Sequence, residues 1–579
     1  MRSGAIRVTS LTNFGSPAID GSESAPGTVS LGFVPIPQQQ PKQKYVLTFR
    51  ARASSTAHNS EIGFAAVGPE DQFEPLVSCT RSNGHWRFDA RSITESIVGQ
   101  RERFENLWPG GVDETITGKI VVDTGGHWVW GAVVGADGTM YRSRVYELPV
   151  SRVGAVNALF IMQDTRNGSG PIDLDDLQVE SFAAPPIVGT SPEDWWLPLT
   201  IIELSWTSPD TVYLREHVRE MEKRPLDGVT VRVADPRFPH GTVLNGTGKG
   251  DAGWAFLQNR RLKRSIIDAA IADMQSTKFT RFRSNYLNMV TYLQSGQTFD
   301  WFDDEWWATV LHNTRLLAEF ARKAGCEGIM LDPEEYGGQI WSPPGMLRDA
   351  LYTGRSYEQL VAQVRRRGRE FATAVNQEFP GAHFLVLHAW EDVLSRVADD
   401  FYRLREQNRT LTIAFLDGML EGSDDNTIIM DGIENGYYVE EAEDFAVKCD
   451  RVRRYGPLLS AVPEQFRKKV RTATGIWLDR NSRWFPDEIE KNFWSPERYQ
   501  KAITNALAAN DGFIWLYCER PTFWLDSPTA TLGEGVTPAT GVGNYASRNE
   551  VIKWMPRIYW TAIENARQSA IRQRQARAE

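Results

Sequence analysis

Between residues 44 and 181 apolar and polar positions alternate with a period of two, in short runs broken by Gly, Asn and Asp. The runs include "KYVLTFRARAS" (44–54), "EIGFAAVG" (61–68), "HWRFDARSI" (85–93), "TGKIVVDTG" (117–125), "HWVWGAVVG" (127–135), "ALFIMQD" (158–164) and "DLDDLQVES" (173–181). Successive strand side chains point to opposite faces, so each run has one face for a core and one for solvent. Many short strands at this spacing, with no long helix among them, predict a β-sandwich over residues 1–182. The Pro-rich, small-residue stretch "AAPPIVGTSPED" (183–194) reads as a linker.

From residue 195 the rhythm becomes strand, then helix, repeatedly. Strands are predicted at 200–206, 228–236, 278–288, 325–334, 383–391, 411–418, 471–479 and 512–519. Between them, 305–325 and 356–379 carry apolar residues three and four apart, the period of an amphipathic helix. A last helical pattern spans 550–575, where Pro556 implies a late start or a kink. Eight such units over 195–579 predict a (β/α)8 TIM barrel with long loops. A doubly wound open sheet is the rival, but no G-x-G-x-x-G or Walker sequence follows any strand.

Composition narrows the function. The net charge of −10 argues against nucleic acid as the main ligand. No apolar run reaches the roughly 18 residues of a membrane span, and the N-terminus lacks the apolar core of a secretion signal. Cys79, Cys326, Cys449 and Cys518 are scattered, which excludes a disulfide framework and a zinc knuckle. The 20 tryptophans, many beside turns and strand ends, suit stacking on sugar rings.

In such barrels the chemistry sits at the C-terminal ends of the strands. In "GCEGIMLDPEEYGGQIW" (325–341), alternation sends Met330, Asp332 and Glu334 toward the mouth, and Glu335 away from it. The same rule groups Phe513, Trp515, Tyr517 and Glu519. It also groups His388 with Trp390, Asp417 with Phe415, Asp479 with Trp477, and Glu203 with Ser205. Simpler roles stand beside these: Asp332 as a helix cap ahead of Pro333, and Asp417 as an Asp-Gly turn. Asp431 and Glu434, in "IIMDGIENGYY", are expected in the long loop after strand six, able to reach the cleft but more simply a surface loop.

Acids ending strand four and an aromatic run ending in Glu on strand eight resemble the (β/α)8 glycoside hydrolases. "EGIMLDPEEYG" is similar to the chitinase-like strand-four signature D-x-x-D-x-D-x-E, with Glu327 and Met330 in place of its first two Asp residues. That resemblance implies Glu334 as the acid and Asp332 as a residue orienting the substrate. The N-terminal part resembles jelly-roll carbohydrate-binding modules, and "IDLDDLQVES" implies a structural Ca²⁺ near Asp173, Asp175 or Asp176.

The expected activity is therefore hydrolysis of a poly- or oligosaccharide by paired carboxyl groups. Glu334 is expected to be the deepest and the proton donor, with Asp332 or Glu519 as second carboxylate and Asp417 or Asp479 in reserve. Tyr336, Trp341, His388, Trp390, Trp477, Trp515, Tyr517, Arg283, Asn285 and Glu203 are the expected sugar contacts. No cofactor, catalytic metal, nucleic acid or membrane partner is expected, and the substrate class favours an extracellular or periplasmic setting. The alternatives are a non-catalytic sugar-binding barrel, or a lyase or metal-dependent hydrolase. The last is disfavoured by only 8 dispersed histidines.

Overall fold

The computed structural model describes residues 2–7, 29–35, 43–53, 60–67, 73–82, 85–90, 104–108, 114–150, 156–164, 172–187, 198–205, 207–235, 250–293, 298–336, 338–480, 483–527 and 553–578. The chain forms two compact units, Met1–Pro186 and Ile187–Glu579.

The first unit is an antiparallel sandwich. Among the described residues, one sheet of 7 strands runs in the order Arg2–Arg7, Ile172–Ala183, Gln43–Ala53, Thr115–Asp123, Trp128–Val134, Met140–Arg142, with Tyr146–Glu147 also on Trp128–Val134. The other has 6 strands, in the order Val29–Pro35, Ala158–Asp164, Ser60–Val67, Phe73–Ser82, His85–Asp89, Phe104–Trp108. Alternation decides which residues meet between the sheets. Leu47, Phe49 and Val122 from the first pack with Phe64, Trp86 and Phe88 from the second. Each such side chain contributes about 1.5–3 kcal/mol on burial. The register of Ile172–Ala183 slips between Asp175 and Gln178, where Asp176 takes a φ of +50°. The side chains of Asp173 and Asp175, where calcium was expected, lie outside the described residues.

The second unit is a closed barrel of eight parallel strands. These are β1 (Thr200–Ser205), β2 (Gly228–Val231), β3 (Tyr286–Tyr292), β4 (Gly328–Tyr336), β5 (His383–Leu387), β6 (Ile429–Ile433), β7 (Val470–Trp477) and β8 (Phe513–Cys518). β8 closes onto β1 in register from Thr200–Phe513 to Ser205–Cys518. The bore is filled by Ile202, Leu204, Tyr286, Met330, Leu385, Leu387, Met430, Ala473, Phe513 and Trp515. It is a packed core, as apolar inward positions require.

Two expected strands are corrected. Residues 411–418 belong to a helix, Leu411–Gly422, not to β6. That segment is apolar all round because neighbours cover every face, so its run of apolar residues mimics a buried strand. The glycines give the physical reason. A Cβ on Gly418 would come 1.9 Å from the Arg365 carbonyl oxygen, and one on Gly368 would come 2.0 Å from that of Phe415. The helix thus lies backbone to backbone on helix Tyr357–Glu378, whose start carries a capping box between Ser356 and Gln359. Likewise β3 begins at Tyr286, well after the expected position 278. The helix Arg557–Ala578 starts directly after Pro556, so that proline delimits the helix and does not kink it.

Candidate active site

β4 does not stop at Asp332 to cap a helix. It continues through Pro333 to Tyr336. Asp332 and Glu334 both line a cleft of about 250 Å³ at the mouth, with Met330 below them. Asp332 is 8% exposed, and its Oδ1 accepts the Glu334 backbone N–H at 2.8 Å. The Tyr336 hydroxyl donates to Glu334 Oε2, and Arg409 Nη2 lies 3.6 Å from Glu334 Oε1. Glu335 points away, as alternation requires, and accepts from Ile340 N, Trp341 N and Ser342 Oγ at 2.7–2.9 Å, fastening the following loop.

The carboxylates come from three strand ends. β8 supplies Glu519, whose Oε1 receives the Tyr517 hydroxyl at 3.3 Å. β6 supplies Glu434, from the turn right after Ile433, and this corrects the surface-loop expectation. The Glu434 side chain is 14% exposed, against 35% for Glu334, so Glu334 is not the deepest acid. Burial pushes Glu434 up to about 7, with Asp332 and Glu334 pushing the same way and His388 and Arg409 opposing. Asp332 rises to about 6 through burial and then the charge of Glu334. Crowding like charges out of water favours the protonated form. The clue in the sequence was repetition: the apolar run of β6 ends in Asp431 and Glu434 just as that of β4 ends in Asp332 and Glu334.

Aromatic rings wall the cleft on two sides. On one, Trp254 and Tyr336 have ring centroids 5.3 Å apart. On the other, Tyr437 stacks on Tyr517 at 5.9 Å, and Trp477 meets Tyr517 at 5.2 Å. Trp254 is carried by a turn after β2, tied by buried Asp251. That carboxyl accepts Gly253 N at 2.9 Å and Asn288 Nδ2 at 2.7 Å. Arg232, Asn288, Trp254 and Tyr437 line the cleft without having been singled out beforehand. An arginine in the apolar run "GVTVRVADP" was the available signal for the first of them.

Several expected contacts lie elsewhere. Trp341 is buried against Trp301 and Phe415, each 5.2 Å away. Trp390 opens a helix and packs on Phe466 at 5.0 Å. Trp515 fills the bore beneath Tyr437. Arg283 and Asn285 precede β3 and so sit at the opposite end of the barrel. Asn285 bonds Val229 N and Phe282 O there. Glu203 points into the helix layer, fully buried, and accepts from Ser205 and Ser208. Asp417 lies in the helix layer, where Ser460 and Ala461 donate to it. Asp479 is buried beside the mouth and bonds the Glu519 and Arg520 N–H groups.

His388 does reach the mouth, although β5 puts Leu385 and Leu387 on its inner face. A φ of +45° turns it in, with Nε2 3.0 Å from Glu434 Oε2. Asp332, Glu334 and His388 each offer an atom within 4.8 Å of the others, so these three could hold a cation.

No protein-family model matches the chain, and no curated protein matches it. Among solved structures, the CBM22-1–GH10 modules of Clostridium thermocellum endo-1,4-beta-D-xylanase 10B, complexed with xylohexaose, align over 91% of this chain and 86% of that one. The identity is 9% and the TM-score 0.31. A Lotus tetragonolobus seed lectin aligns over 28% of this chain and 84% of its own, at 13% identity and TM-score 0.22. Peanut lectin gives 31% and 96%, at 12% identity and TM-score 0.21. TM-scores this low carry no argument about activity. The fold is defined by the strand pairing itself.

Proposed function

We propose that the barrel is a glycoside hydrolase acting on a poly- or oligosaccharide, with the sandwich as a carbohydrate-binding module. One observation carries this reading: carboxyl groups from β4, β6 and β8 converge between two aromatic walls, and burial pushes one of them, Glu434, up to about 7. Sugar hydrolysis needs a proton for the leaving oxygen and an ionised carboxylate at the anomeric carbon. Glu434 is the proton donor in this scheme. Its proton passes to the glycosidic oxygen as the bond to the anomeric carbon breaks. Glu334 takes the other role, since Tyr336 and Arg409 are partners for an anionic oxygen. Glu334 then either attacks the carbon or takes a proton from the attacking water. Asp332 braces its backbone, and Glu519 is the second candidate for the carboxylate.

Trp254, Tyr336, Tyr437, Trp477 and Tyr517 would grip the sugar faces. No metal is needed for these steps, so chelation should leave turnover intact. A polysaccharide substrate would favour an extracellular or periplasmic setting; among the described residues no helix is long and apolar enough to cross a membrane.

The test is hydrolysis of a panel of poly- and oligosaccharides by wild type, Glu434→Gln, Glu334→Gln and Glu519→Gln. Turnover lost in the first two, with sugar binding retained, supports the scheme. Full activity in Glu434→Gln removes the donor. Sugar binding with no turnover even in wild type turns the barrel into a binding protein.

A further inference from the structure

β4 ends in two neighbouring acids that point to opposite sides. Glu334 lines the cleft, while Glu335, on the other side, accepts Ile340 N, Trp341 N and Ser342 Oγ. The Ser342 hydroxyl carries this contact further. It donates to Glu335 Oε2 at 2.7 Å and accepts the Arg409 backbone N–H at 3.2 Å. A hydroxyl both donates and accepts, so one buried oxygen serves both neighbours. Ser342 is fully buried, and although it precedes the short helix Pro343–Met346, its side chain does not cap it.

This series of bonds leads to a backbone in an uncommon state. Arg409 has a φ of +61°, in the left-handed region that residues with a side chain rarely adopt. It persists because the backbone is held on both flanks. Arg396 Nη1 donates to Asn408 O at 3.1 Å, Leu411 N to Trp341 O at 3.0 Å, and Thr412 N to Arg409 O at 3.2 Å. From that turn the Arg409 side chain reaches the cleft acids, with Nη2 3.6 Å from Glu334 Oε1. Its charge acts on Asp332 and Glu434 as well.

We infer that Glu335 and Ser342 are positioning residues: through the Arg409 backbone they set its guanidinium against the Glu334 carboxylate. The two acids at the end of β4 are thereby joined by way of a distant loop. One faces the cleft, and the other aims the cation that orients it. For its catalytic consequence the inference rests on the hydrolase reading, in which Arg409 keeps the Glu334 oxygens in line with the anomeric carbon. Misplacing such a partner by about 1 Å can cost roughly 10²-fold in rate.

Ser342→Ala tests the link most directly, because it breaks the bond to Arg409 and leaves Glu335 its bonds to Ile340 and Trp341. The first readout needs no sugar. The side-chain ¹⁵N–¹H signal of Arg409, identified by its absence from the spectrum of Arg409→Gly, is expected to move in Ser342→Ala and in Glu335→Ala. Ser342→Cys, whose thiol is a weak acceptor, gives the same reading where the alanine variant does not fold. The second readout is kcat on a glycan that the wild type hydrolyses. Arg409→Gly should lower it by roughly 10²-fold while the melting temperature holds or rises, since glycine adopts a positive φ without a clash. Ser342→Ala should lower it by roughly 10-fold. The double variant should be no slower than Arg409→Gly alone, because the hydroxyl acts through the arginine. Turnover unchanged in Arg409→Gly, losses that multiply in the double variant, or an Arg409 signal unmoved in the folded variants overturns the inference. A moved signal with no hydrolysis of any glycan keeps the placement of Arg409 and removes the hydrolase reading.

Discussion

The buried carboxylate of Asp479, just past the end of β7, accepts the backbone N–H groups of Glu519 and Arg520 at 2.9 and 2.7 Å. It also takes the Trp477 indole N–H at 3.0 Å. One side chain thus sets the end of β8, the Glu519 acid and an aromatic wall. Asp479→Ala strands these donors. Urea denaturation should show a loss of about 1–3 kcal/mol for each group left buried without a partner. Any sugar affinity carried by Trp477 should fall with it.

Asp417 gives a pH prediction for stability. Burial raises it to about 6, against the ordinary value of 3.8. A folded value above the unfolded one means its stabilising contribution is complete below the unfolded value and is lost as pH rises through about 6. Asp417→Asn removes this titration. Melting curves should show wild type losing about 1–3 kcal/mol relative to that variant between acid and neutral pH.

The tryptophans and tyrosines divide into two experimental classes. Tyr517→Ala and Trp477→Ala open the wall of the cleft, and each should weaken glycan binding by about 0.5–1.5 kcal/mol, read by calorimetry. Trp341→Ala should instead cost about 3–5 kcal/mol of stability, because its ring is buried against Trp301 and Phe415. Glycan affinity of its folded fraction should not change.

Gly418→Ala tests the helix that replaced an expected strand. Its new methyl would meet the Arg365 carbonyl oxygen at 1.9 Å, and backbone cannot swing away as a side chain can. A loss of about 1–3 kcal/mol is expected from such overpacking. A neutral result would contradict the close helix contact.

Under the hydrolase proposal, activity should fall as pH rises through about 7, where Glu434 loses the proton it must donate. Glu434→Gln should lower turnover by about 10²–10⁴-fold with binding retained, seen as a fall in kcat without a rise in KM.

Much of this architecture was legible in the chain, and the failures share a cause. Period-two alternation exposed the sandwich, and on β4 and β8 it assigned Asp332, Glu334, Tyr517 and Glu519 to the mouth. It failed where direction is set by something other than alternation. His388 stands at the mouth as expected, though through a left-handed residue and not through alternation, and Glu434 reaches it through a turn after its strand. Residues 411–418 misled because a helix covered on every side has no polar face to reveal its period. Trp341, Trp390 and Trp515 stood near strand ends in sequence, yet large rings are as useful inside as at a cleft. Sequence proximity cannot tell those apart. Asn285 and Arg283 were assigned to the wrong end because the start of β3 was misplaced.

The filled bore has a consequence for traffic. With Tyr286, Phe513 and Trp515 packed beneath the cleft, nothing can thread through the axis of the barrel. Under the hydrolase proposal a polymer would lie across the rim, and both fragments of a cut chain would leave by the face at which the intact one arrived. Release would then proceed by peeling from the aromatic walls, so a tighter grip on the sugar faces would slow departure as well as aid capture.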